Sequence, residues 1–167
     1  MFGFFKKNRE DINSSKPELV AVQNGTVVKI ETLPDPVFAE KMLGDGFAIL
    51  PNNDGTVCSP VNATVEEVQD TLHAYCLHTD DGLDILVHIG INTVSLNGQG
   101  FSPKVKKGQK VKVGDTLATV DLDFIKSKNL PTYTVVLITN IDEIKDFTIN
   151  ANIETKSGET IVMTYNK

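Results

Sequence analysis

The protein is a chain of 167 residues with 16 Lys and Arg against 22 Asp and Glu, a net charge of −6. That balance excludes a nucleic-acid binder working through a basic footprint, and no apolar run approaches the roughly 18 residues of a membrane span. No secretory signal with a small-residue cleavage site is evident. The two cysteines, Cys58 and Cys76, are too few for a disulfide scaffold, so reduced thiols and a cytoplasmic location are expected.

Residues 1–18 read as a flexible N-terminal arm, and 19–167 as one domain. The arm sets Phe2, Phe4 and Phe5 beside Lys6, Lys7 and Arg9. Such a segment is either a disordered terminus or a weak contact with an anionic membrane surface. Beyond it, Val, Ile and Thr dominate, with 18, 13 and 16 copies in the whole chain. These β-branched side chains are stiff at χ1 and suit a pleated surface. The turn dipeptides Asn24-Gly25, Asp45-Gly46, Asp54-Gly55, Asp81-Gly82 and Asn97-Gly98 punctuate them. Strands are predicted over 26–30, 64–69, 75–79 and 83–89, and short helices over 123–128 and 141–147. Regular spacing of this kind suggests a sandwich or barrel. A faint repeat points the same way. Residues 21–30 align with 59–68, and 44–50 with 80–86, at offsets of 38 and 36 residues. The chain stops soon after its last predicted strand, which suggests a freestanding soluble protein.

Three histidines are the side chains that titrate near neutrality unperturbed. In the run Gly82-Leu83-Asp84-Ile85-Leu86-Val87-His88-Ile89-Gly90, period two sends Ile85, Val87 and Ile89 one way. Asp84, Leu86 and His88 go the other. Gly90 frees the chain to turn or lets another group come close. His73 precedes the predicted strand 75–79, and a hairpin with 83–89 places Thr71, His73 and His88 on one face. His78, beside Thr79-Asp80-Asp81, reads as a structural or exposed residue near a turn. Two unrelated histidines and a metal pair are both open for His73 and His88. A zinc peptidase is disfavoured, because there is no HExxH, no CxxC and no HxH at His88. Val113-Gly114-Asp115 has the flavour of a biotinyl or lipoyl carrier, but no lysine sits at a suitable hairpin.

Residues 82–94 resemble, at all 13 positions, the active-site signature of the enzyme IIA component of the bacterial phosphoenolpyruvate-dependent sugar phosphotransferase system, glucose family. Supporting similarity runs through residues 35–49, Thr71-Leu72-His73-Ala74-Tyr75, Gly98-Gln99-Gly100-Phe101, Val111-Lys112-Val113-Gly114-Asp115 and residues 139–144. It covers Val20 to the C-terminus, so 19–167 is expected to be a IIA domain. The resemblance implies an all-β fold, an antiparallel β-sandwich or barrel of duplicated hybrid-motif type with short helices. It also implies a phosphotransferase component in which His88 takes a phosphoryl group on Nε2 from the phosphocarrier HPr. The group then passes to a cysteine of a IIB domain, for uptake and phosphorylation of a sugar. No cofactor or metal is expected beyond the covalent phosphoryl group on His88.

In that framework His73 corresponds to the second histidine and Thr71 to the threonine that hydrogen-bonds it. A nucleophilic imidazole needs an unprotonated Nε2, and a hydrogen bond from Nδ1–H to a backbone carbonyl, that of Gly90, would fix the tautomer. Val37, Phe38 and Leu86 are expected to form an apolar rim that excludes water and docks both partners. Asp35 and Asp142 are expected to steer a basic carrier. Asn92 stands where the enteric form has aspartate, Leu86 where it has phenylalanine, and Gln69 where it has an aromatic. These departures touch the partner surface and leave the sugar and any regulatory partners open. An alternative from a different class is a regulatory binding module whose phosphorylation state controls other proteins.

Overall fold

A computed structural model of the protein describes residues 17–167. Most of the N-terminal arm, and with it the membrane contact considered for it, lies outside the described residues. Glu18, assigned to that arm, is the first residue of β1 and pairs with Thr164.

The strands in chain order are β1 (Glu18–Val20), β2 (Gly25–Lys29), β3 (Asp45–Pro51), β4 (Thr56–Cys58), β5 (Ala63–Val68), β6 (Ala74–His78), β7 (Asp84–Ile89), β8 (Phe101–Pro103), β9 (Lys110–Val111), β10 (Thr116–Val120), β11 (Thr134–Ile138), β12 (Asp146–Ile149), β13 (Glu154–Thr155) and β14 (Ile161–Asn166). Two helices, α1 (Pro36–Ala39) and α2 (Leu122–Ser127), join them. Eight strands form one sheet in the order β13-β2-β3-β11-β7-β6-β5-β9, and two three-stranded sheets, β1-β14-β12 and β4-β10-β8, complete the fold. Every pairing among the described residues is antiparallel. The large sheet ends on β13 and β9, which do not pair with each other, so it is open.

Alternation along the central strands decides what each face carries. Ile85, Val87 and Ile89 of β7, Val136 and Ile138 of β11, Phe47 and Ile49 of β3, and Tyr75 and Leu77 of β6 are buried in the main core. All five residues of β11 are buried, because this strand is covered on both sides. Its second face, with Val135 and Leu137, joins Ala48, Ile30, Leu33, Phe38 and Ile91 in a smaller core bordered by Val28, Leu86 and Tyr133. The segment that supplies Ile30, Leu33 and Phe38 thus folds back over the outer face of the sheet, beside His88.

The repeat read from the sequence keeps its strands but not their pairing: β2 lies directly on β3, whereas β6 separates β5 from β7. The helix predicted over 123–128 is α2. The one predicted over 141–147 reduces to a 3-10 turn, Ile141–Glu143, followed by β12. There Phe147 pairs with Tyr165 and Ile149 with Met163, and this long-range ladder overrides the local helical spacing.

Candidate functional site

β7 delivers His88 and the turn before β6 delivers His73. Ala74 pairs with His88 across the two strands, and the amide of Ile89 donates to the His73 carbonyl at 2.7 Å. His73 lies just before β6, after Leu72 in a left-handed conformation at φ 61°, and the two imidazoles are 4.8 Å apart, centroid to centroid, with planes at 85°. His73 is buried and His88 half-buried. Thr71 Oγ1 lies 2.8 Å from His73 Nδ1.

His88 Nδ1 lies 2.8 Å from the Gly90 carbonyl oxygen. A carbonyl only accepts, so Nδ1 carries the proton and Nε2 keeps its lone pair. Gly90 makes this possible through a left-handed turn at φ +77°. Its amide donates to Tyr133 O at 2.7 Å, Ile91 N donates to Pro131 O at 3.1 Å, and Thr93 Oγ1 donates to Ile89 O at 2.6 Å. A Cβ on residue 90 would sit 2.4 Å from Thr93 Cγ2, and Thr93 is fully buried. Gly90→Ala is therefore expected to cost about 2–4 kcal/mol, from left-handed strain and overpacking together. A urea midpoint unchanged from wild type would show that the turn yields.

Burial, with the neighbouring His73 second, pushes the His88 pKa down from 6.5 to about 4; the Gly90 carbonyl and the Asp35 carboxylate pull the other way and lose. Burial also lowers His73. Both rings are thus neutral at pH 7. Between about pH 4 and 6.5 the unfolded chain binds a proton at His88 that the folded chain refuses, so this group's contribution to stability rises with pH across that window. Acidification through it is expected to cost about 3 kcal/mol. Observing the ring by NMR checks this: titration of His88 at 6.5 would contradict it.

Phe38 lies beside His88, as expected of a residue that excludes water, but deeper than a rim position. Expected on the docking rim, its ring is 3% exposed and packs against His88 with centroids 5.0 Å apart and planes at 67°. The helix α1 that carries it covers the sheet face, which burial periodicity in so short a segment does not reveal. Val37, beside it, is exposed, and Leu86 borders the smaller core. Asp35 is the N-cap of α1 and accepts a hydrogen bond from Val37 N at 2.9 Å. Asn92 is exposed in a left-handed conformation at φ 63°, which asparagine tolerates well. Asp142 is exposed in the 3-10 turn after β11. That turn follows the end of β11 paired with Ile85, whereas His88 pairs with Val135.

The third histidine stands apart. His78 Nδ1 lies 2.7 Å from Asp84 Oδ1 and 3.8 Å from Glu66, and the Asp84 hydrogen bond raises its pKa. Three apolar side chains that the sequence reading passed over, Met42, Leu43 and Val94, are exposed on the segments following α1 and β7. Their signal was an apolar residue in an otherwise polar turn. Depressions of about 420, 510 and 200 Å³ lie elsewhere on the surface, and none is lined by His73 or His88.

A neutral imidazole with its tautomer fixed and a second imidazole at its side suits the carrying of a phosphoryl group, which asks for positioning and charge stabilisation. Residues 17–144 match the family described as phosphoenolpyruvate-dependent sugar phosphotransferase system, EIIA 1. The chain belongs to that family. It is 47% identical over 165 residues to the PTS system glucose-specific EIIA component of Halalkalibacterium halodurans, covering 98% of this chain and 95% of that one. It is 51% identical over 128 residues to the PTS system glucose-specific EIICBA component of Streptococcus pneumoniae, covering 77% of this chain and 18% of that much longer protein. In structure it is similar to the glucose permease IIA of Mycoplasma capricolum, with a TM-score of 0.83, 34% identity, and coverage of 90% of this chain and 97% of that one. The antiparallel β architecture with short helices agrees with that fold. As a family member the chain is a phosphotransferase component that works through a phosphohistidine, accepting phosphate from HPr and passing it to a IIB domain. No helix among the described residues is long and apolar enough to cross a membrane.

Proposed function

We propose that the phosphohistidine of this chain forms at Nε2 of His88, and that His73, oriented by Thr71, holds the phosphoryl oxygens. The observation that carries this reading is the 2.8 Å contact from His88 Nδ1 to the Gly90 carbonyl, which leaves Nε2 as the nucleophilic atom. The Nε2 lone pair attacks phosphorus in phospho-HPr, the N–P bond forms as the bond to the donor breaks, and the released pair returns to the carrier. A IIB thiolate then attacks the same phosphorus and His88 leaves as a neutral imidazole. The transfer asks for positioning and charge stabilisation, and no cofactor beyond the covalent phosphoryl group enters it. The apolar surface of Val37, Leu86 and Val94 is the docking face for both partners, with Asn92 at its edge and Asp142 as an outlying acidic contact.

Glucose is the sugar we assign, on the names of the relatives in Halalkalibacterium halodurans and Streptococcus pneumoniae, and the cytoplasm is the compartment. The test is incubation with phosphoenolpyruvate, enzyme I and HPr, followed by mapping of the label. Acid-labile, alkali-stable phosphate on the peptide containing His88, transferable to a glucose-type IIB domain, is the expected result. Label on another residue sinks the His88 assignment, and transfer only to IIB domains for other sugars sinks the glucose assignment.

A further inference from the structure

The segment between β2 and β3 has little to hold it in place by itself. α1 is a single turn, and an isolated turn is unstable because nucleation fixes several dihedrals for one hydrogen bond. Its start is built by Asp35 and Pro36. Asp35 is extended, at φ −137° and ψ 115°, and its carboxylate accepts the Val37 amide at 2.9 Å, while Pro36 takes the first helical position, where no amide proton is needed. The amides of Ala39 and Glu40 then donate to the carbonyls of Asp35 and Pro36, both at 2.9 Å. The turn closes with Lys41 N on Phe38 O at 3.0 Å. Phe38 is thereby aimed into the smaller core against Ala48, Ile91, Val135 and Leu137. On the way it meets the His88 ring.

We propose that Asp35 and Phe38 are positioning residues for His88: the Asp35 cap folds α1, and α1 holds the Phe38 ring against the imidazole so that its Nδ1 stays on the Gly90 carbonyl. The inference rests on His88 being the phosphoryl acceptor. It gives Asp35 a structural task at the nucleophile beside the steering by charge expected of it. The physical need is clear. One hydrogen bond fixes the tautomer, but rotation about χ2 would break it and turn Nε2 away. That torsion is broad and two-fold for histidine. A neighbouring ring on each of two packed segments, His73 on the sheet and Phe38 on α1, narrows it. An aromatic pair in an edge-type arrangement adds a directional preference that an aliphatic side chain lacks.

The experiment separates cap from charge. Asp35→Ala removes both, and Asp35→Asn removes the charge while keeping a good cap. Phe38→Leu keeps an apolar side chain and removes the ring. In the full chain, two readouts are taken: 15N shifts of the His88 ring, and kcat and KM for phosphorylation by phospho-HPr at low and high salt. Asp35→Ala and Phe38→Leu are expected to mix the His88 tautomers and lower kcat about tenfold, with KM little changed. Asp35→Asn is expected to rescue both readouts. An Asp35→Asn protein as impaired as Asp35→Ala, with the loss in KM and weakened by salt, overturns the cap role in favour of steering. A Phe38→Leu protein with wild-type tautomer and kcat overturns the ring's role. Mapping the label on wild-type protein stands apart from these outcomes, because label away from His88 would fail the underlying reading and leave the tautomer measurements as they are.

Discussion

Phosphorylation of the chain by phospho-HPr is expected to vanish when His88 is replaced by alanine, a loss on the order of 10⁴-fold or more. The reason lies in the inventory of nucleophiles on this face. His73 is buried, with its Nδ1 committed to Thr71. His78 is engaged by Asp84 on the exposed end of β6. Cys58 is buried, and burial raises the pKa of both thiols. Among the histidines and cysteines of the described residues, His88 is the one placed with a neutral Nε2 held unprotonated by a hydrogen bond at Nδ1. The variant carries an internal control for folding. With the imidazole gone, the proton uptake that destabilises the native chain below pH 6.5 is gone too, so the slope of stability against pH between about 4 and 6.5 should flatten. Radiolabel from phosphoenolpyruvate and urea unfolding at pH 5 and 7 measure the two effects. Equal labelling of wild type and variant would end the assignment. An unchanged pH slope would show that another group carries the acid sensitivity.

The parts of this site that could be read from the sequence are those set by local alternation. In β7 the run Asp84-Ile85-Leu86-Val87-His88-Ile89 states by period two which residues enter the core, and the structure sorts them as i, i+2 and i+4 demand. His73 was legible only in part: β6 and β7 do pair as a hairpin, but their register sets Ala74 opposite His88, and His73 comes beside it from the turn at the left-handed Leu72. What was not legible depends on residues far apart in the chain. Four residues of α1 give no helical period. Its existence rests on a cap at Asp35 and on a smaller core assembled from β3, β7, β11 and the stretch after β2. So Phe38, apolar in a loop-like stretch, read as part of a rim around His88, and the depth of its burial had no local signal. Residues 141–147 failed for the same reason. Ile141 and Ile144 lie at helical spacing, with two acids between them imitating a first turn. The strand partner that settles the matter, β14, lies some residues downstream and carries no local signal.

The second large effect is expected at His73, and it differs in kind. A His73→Gln protein should still take phosphate at His88 but pass it to a IIB domain about 10²–10³-fold more slowly, the usual scale for losing an oriented donor to a developing anion. Thr71 Oγ1 contacts His73 Nδ1 at 2.8 Å. With the hydroxyl as donor, the His73 proton sits on Nε2, free to reach a phosphoryl oxygen. Burial keeps His73 neutral while His88 is bare, so it does not repel the arriving carrier through charge on the ring. A phosphoryl dianion on His88 reverses the balance, because a nearby negative charge favours the imidazolium. A glutamine amide cannot gain a proton, and Thr71 no longer orients its donor as it orients His73. In the first transfer the group arrives held by the carrier as well. In the second, this chain must present it to the thiolate, and the missing cation is felt there. Single-turnover transfer from purified, labelled His73→Gln protein to a IIB cysteine is the measurement. Transfer at the wild-type rate would remove His73 from the chemistry, while slow loading with normal onward transfer would place its role in the first step instead.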